Sequence, residues 1–217
     1  MGKTIQLTWL SLIGVLIGCA AYHVAGHVQS GRRALLVKDS ELALGYFLEA
    51  AKGDPNYMYY SVYYREGIWT YVGRSQYATK RYPEARQSLE RALSLDRDDN
   101  LARLYLGLTL ARSDDLFRGA KEIQSAMKGL HDWIEYINRS RPFEAYWDPL
   151  REIRKTIEKD IAPGNDLVNP EQLIGDAEWL GYKMEDEIER VRQDERRQFD
   201  RNRERRRGVS VGVGIGY

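Results

Sequence analysis

Residues 66–99 read EGIWTYVGRSQYATKRYPEARQSLERALSLDRDD. Two amphipathic helical patterns flank the short polar break Thr79-Lys80-Arg81. Trp69, Val72, Gly73 and Tyr77 carry the first, and Tyr82, Ala85, Leu89 and Ala92 the second. Spacings near three and four put each set on one helix face. The pattern returns elsewhere. Shifted forward by 34 residues, Val72 falls on Leu106 and Gly73 on Gly107. Shifted back by 42, Ala85, Leu89 and Ala92 fall on Ala43, Phe47 and Ala50. A helix–turn–helix unit recurring at such a period implies helix pairs stacked in series, each covering its neighbour's apolar face. The expected fold is all-α.

On these residues the chain resembles a tetratricopeptide repeat (TPR), over roughly residues 24–130. Three units follow. The first spans about Val24–Tyr57, with Asp39 or Ser40 capping its second helix and Gly53-Asp54-Pro55 ending it. The second is residues 66–99, and the third spans about Asn100–Leu130. Between the first two lies an insertion, Met58–Arg65, rich in Tyr, expected to lengthen the following helix or form a kinked lead-in. Most of its tyrosines are expected to pack between helices, with a recognition surface as the alternative. The small residues Gly73, Gly107, Ala43, Ala85, Ala50 and Ala92 mark close helix crossings.

In the TPR family the first helix of each unit lines a concave face that takes ligands. Carried over by position, that partner-binding groove comprises Arg32, Thr70, Arg74, Tyr77, Leu104, Leu108 and Arg112. Arg32 and Arg74 occupy equivalent places in successive units. The pair suits a carboxylate; two solvated surface arginines are the plainer alternative. The Asn pair of carboxylate-clamp TPRs is missing. The resemblance implies protein binding as a class and names no partner.

The amino terminus has one Lys, Lys3, then an apolar run from about Ile5 to Ala21, the layout of an export signal. It is short for a membrane span, which needs about 20 apolar residues. It closes on Leu16-Ile17-Gly18-Cys19, which resembles a bacterial lipobox. The resemblance implies cleavage after Gly18, lipidation of Cys19 and attachment to a bilayer, with Ala20 favouring the outer membrane and the periplasmic side. An uncleaved anchor is the alternative. The 217 residues include one Cys and three His, with net charge +1. An internal disulfide is therefore impossible, a Cys/His metal cage is not expected, and bulk charge does not point to nucleic acid.

After the units, Asp132–Asn138 reads as a short helix, followed by Phe143, Tyr146 and Trp147. Asp148-Pro149 then starts a helix striped by Leu150, Ile153, Ile157 and Ile161. Residues 131–165 are expected to cap the array. Asn169-Pro170-Glu171 starts a long helix, 166–207, with the stripe Leu173, Ala177, Leu180, Met184, Ile188 and Val191. That stripe packs on the cap or on another chain, possible as a coiled coil between copies. Past Val191, Arg alternates with Asp and Glu. Arg201–Arg207 is net basic, suiting phosphate headgroups or a solvated helix end. The tail 208–217 alternates Gly or Ser with apolar residues, which suits either strand addition to a partner's sheet or an unstructured end.

No catalytic constellation is found. His23 and His27 stand four apart on a helix without a third ligand, and no nucleophile elbow or zinc-protease motif occurs. No enzyme activity and no cofactor are expected. The whole reads as a membrane-anchored adaptor or assembly factor of a bacterial envelope that binds another envelope protein. A self-associating structural protein is the alternative.

Overall fold

In the computed structural model, residues 23–61, 63–113, 115–140, 147–162 and 169–211 are described, with 205–211 as backbone alone. The described residues form eight helices and one two-stranded sheet, so the fold is all-α. Three helix hairpins follow one another: α1 (23–36) with α2 (Ser40–Gly53), α3 (Ile68–Ala78) with α4 (Tyr82–Leu95), and α5 (Asn100–Arg112) with α6 (Leu116–Ser140). Each packs on the next, α2 against α3 and α4 against α5.

The repetition seen in sequence is present in the backbone. The first hairpin turns at Lys38, φ 62°, and the second at Lys80, φ 60°. Lys38 N–H donates to the Leu35 carbonyl and Asp39 N–H to Ala34. At the second turn Lys80 N–H donates to Tyr77 and Arg81 N–H to Gln76, the same bonds 42 residues on. This left-handed closure satisfies the last carbonyls of a helix. Asp39 and Asp99 cap α2 and α5, accepting from Leu42 N–H at 3.1 Å and Ala102 N–H at 2.8 Å. Pro83 sits in the first turn of α4, where no donor is lost.

Glycine sets the hairpin crossings. A Cβ on Gly31 would lie 2.5 Å from the Phe47 ring, one on Gly73 2.5 Å from Leu89, and one on Gly107 2.7 Å from the backbone nitrogen of Ile123. The same pair of positions meets in all three hairpins. Gly31 thus belongs to the pattern of Gly73 and Gly107.

Two expectations about the elements are corrected. Met58–Arg65 does not lengthen a helix. It makes most of an antiparallel hairpin of β1 (Met58–Ser61) and β2 (Tyr64–Gly67), with Tyr59 opposite Glu66 and Tyr60 opposite Arg65. Its aromatic run suits a pleated, half-buried surface. The period-two alternation turns Tyr64 and Glu66 inward and Arg65 outward. Asp132–Asn138 is no separate helix either. Ile123, Met127, Leu130, Ile134 and Ile137 form one buried stripe, and α6 runs unbroken over 25 residues.

The helix after Asp148 also begins later than expected. Asp148 accepts from Ile153 and Arg154 N–H, and Arg151, with φ 58°, precedes α7 (Glu152–Asp160). Trp147 is fully buried against Trp133, 4.8 Å between ring centroids, and Tyr64 from the β-hairpin closes this aromatic cluster. Phe143 and Tyr146 lie outside the described residues.

The last helix, α8 (Pro170–Val211), starts where Asn169 accepts from Glu171 N–H. Its stripe from Leu173 to Val191 is buried, and α8 packs against α5, α6 and α7. From Glu195 to Glu204 every residue is exposed. The helix extends to Val211, through the first residues of the tail; 212–217 lie outside the described residues, as do Met1–Tyr22 with Cys19. No described helix is long and apolar enough to cross a membrane.

Candidate functional site

The seven groove residues lie on the first helices of the hairpins, and α8 covers the face they share. Arg32 on α1 is 1% exposed and Arg74 on α3 is 4% exposed, which removes them from the class of solvated surface arginines. Both bind Glu185 of α8. Arg32 Nε donates to Glu185 Oε1 at 3.0 Å, with Nη2 at 2.8 Å from the same oxygen. Arg74 Nη1 donates to Glu185 Oε2 at 3.2 Å. One carboxylate therefore bridges two hairpins. Charge-assisted bonds of this kind are among the stronger polar contacts in a protein.

The β-hairpin completes the cluster. Glu66, fully buried on β2, accepts from Arg74. Tyr59 on β1 accepts from Arg32 Nη1 at 2.7 Å, and its ring lies 4.3 Å under the same guanidinium. Arg74 sits between the rings of Tyr71 and Tyr105, at 5.7 and 5.3 Å. Thr70 donates to Asp99 Oδ2 at 2.6 Å, so the cap of α5 is tied to α3.

The site holds two guanidiniums and three buried carboxyls, Glu66, Glu185 and Asp99. Burial is the main cause that raises Glu66 to about 7. Arg74 opposes the rise, while Glu185 and Asp99 add to it. Asp99 is also raised, again by burial first. A proton on one carboxyl makes the cluster neutral, and the low dielectric of the site favours neutrality. Burial lifts the Tyr71 and Tyr64 phenols too.

A second anchor lies further along α8. Tyr77 donates to Glu178 and Arg112 Nη2 donates to the same oxygen at 3.2 Å, while Arg112 Nη1 reaches Glu171 at 3.4 Å. Glu171, Glu178 and Glu185 recur every seven residues, so they share one face of the helix. Gly181 lies between the two anchors. A Cβ there would fall 2.5 Å from the Tyr105 hydroxyl.

Placement of the seven is thus uneven. Arg32, Arg74, Tyr77 and Arg112 meet α8 directly. Leu104 and Leu108 are fully buried core residues, and Thr70 serves the α5 cap. Sequence reasoning missed Glu66, Tyr59, Glu178 and Glu185. The seven-residue acidic repeat beside an apolar stripe was the available signal for the last two. Among the other tyrosines of the insertion, Tyr64 packs inside while Tyr60 and Tyr63 are exposed.

No protein-family model matches the chain, and no curated protein matches its sequence.

Proposed function

We propose that this protein is a TPR-type adaptor or assembly factor, lipid-anchored through Cys19 to a bacterial membrane, which binds another envelope protein. One observation carries the reading. The inner face of three helix hairpins already holds an amphipathic acidic helix, its own α8, through paired arginines. Laying the apolar face of a helix into a groove, with charges fixing the register, is a common mode of peptide recognition. The repeated turns and glycine crossings support the TPR-type reading. The lipobox-like Leu16-Ile17-Gly18-Cys19 supports the anchor.

The test compares the full chain with its E178K/E185K variant, each purified from detergent-solubilised membranes with whatever it binds. The adaptor reading expects one partner at near-equal amount. A partner that uses the inner face is recovered in changed amount once α8 loses both anchors. A partner recovered equally from both binds elsewhere on the surface. Absence of any stoichiometric partner contradicts the adaptor reading.

The second reading, self-association, draws on the far end of α8, where Phe199 is 68% exposed. Light scattering on the chain with and without residues 193–217 separates the two. A monomer in both cases contradicts self-association through this end.

A further inference from the structure

The direction of α8 across α1 has a consequence for where its basic end lies. Lys38 stands 4.8 Å from the Tyr182 ring centroid, Arg32 binds Glu185 at 2.8 Å and approaches Glu189 at 3.9 Å, and Arg192 donates to Gln29 at 2.9 Å. Going up α8 is going down α1, so the two helices are antiparallel. Beyond Arg192, α8 leaves the body on the side where α1 begins. Its backbone extends about 28 Å further, at 1.5 Å per residue. The described chain begins at that same end with residue 23, and in the sequence the apolar run from Ile5 to Ala21 precedes it.

The projecting segment is basic. From Gln193 to Arg207 it carries seven Arg against four acidic residues, and from Arg201 to Arg207 five against one. Near the body, Arg192 pairs with Glu189 and Arg197 with Asp194. Further out, Arg201 and Arg203 are exposed and make no ion pair among the described residues. From Glu195 to Glu204 the helix is exposed on every side, its sequence adds cations toward the tip, and among the described residues no ion pair ties this stretch to another element.

We propose that the tip of α8, residues 201–207, binds the anionic headgroup surface of the bilayer to which the apolar amino-terminal run attaches. The proposal rests on the membrane attachment proposed above. The two contacts have different chemistry. The apolar run supplies insertion, whereas the arginines supply electrostatic attraction, which acts within about 8–10 Å of the surface at physiological salt. A protein held at both points is fixed in orientation, with the three hairpins standing off the membrane.

The experiment uses the full chain mixed with vesicles of phosphatidylcholine, with or without phosphatidylglycerol. Flotation reads attachment, and hydrogen exchange reads residues 195–211. The expected result is flotation with both vesicles. Exchange at 195–211 slows about tenfold on the anionic vesicles only. Added salt abolishes the slowing, as does R201E/R203E/R206E, while exchange in α2 stays unchanged. Flotation with both and equal exchange at 195–211 overturns the tip contact and leaves the anchor standing. Slowing that persists in the variant also overturns it. Flotation with anionic vesicles only, lost in the variant, upholds the tip contact and removes the anchor. Flotation with neither removes both.

Discussion

The two halves of α8 belong to one unbroken helix, yet they live in different surroundings. From Leu173 to Val191 an apolar stripe is buried, and Glu178 and Glu185 are clamped by four residues of the repeats. From Glu195 to Glu204 every residue is exposed, and among the described residues its support is the local ion pair of Arg197 with Asp194 near the junction. Helicity is common to both, so it does not explain the difference. What differs is whether the side chains at helical spacing offer another surface apolar area and matched charge. Ion pairs along an exposed helix contribute only tenths of a kcal/mol each, whereas a buried Leu contributes roughly 1.5–3 kcal/mol.

The sharpest way to break this contrast is Glu185→Lys. It would put a third cation beside Arg32 and Arg74 in a site that excludes water. Urea unfolding of the full chain should show a loss of about 4 kcal/mol or more. Next comes a matched pair of truncations. Leu180→Ala in the buried half should cost about 3 kcal/mol, and Phe199→Ala in the exposed half less than about 0.5 kcal/mol. Similar losses at both would erase the distinction between the halves.

Titration sharpens the buried side. Glu66 has a folded pKa raised to about 7 from the ordinary carboxylate value. The folded protein then binds a proton more tightly than the unfolded chain between those values. Stability falls as pH rises through that window, and the change levels off above the folded pKa. From pH 6 to pH 8 the Glu66 contribution to this loss is about 1 kcal/mol. Glu66→Gln should flatten the dependence when melting is followed at both pH values. An unchanged slope would mean that another group holds the proton. The smallest effect is expected from ending the chain after Arg192, which should leave unfolding within about 0.5 kcal/mol of the full chain.

Much of this was legible in the sequence, for local reasons. The hairpins were visible because helix crossings demand small residues, and Gly73, Gly107 and the paired alanines recur at fixed offsets. The start of α8 was visible because Asn169 and Pro170 are cap chemistry. The β-hairpin was hidden, since a tyrosine-rich run serves a strand or a packed helix equally until its neighbours are known. The inner face was half legible. Arg32 and Arg74 were expected to suit a carboxylate, and they hold Glu185. That the carboxylate comes from the same chain depends on a contact between residues 153 positions apart, which no local pattern encodes. Leu104 and Leu108 were assigned to a surface because position within a repeat gives a helix face, while the depth of that face depends on what covers it.

The most direct test of the central claim, that α8 fills the inner face through Glu185, is a double-mutant cycle. Arg32→Ala, Glu185→Ala and the double variant would be compared with the parent by urea unfolding of the full chain. Groups in buried contact are coupled, and the expected coupling free energy is about 2 kcal/mol or more. Additivity within about 0.5 kcal/mol would show that the two side chains do not meet in solution, and would contradict an inner face occupied by α8.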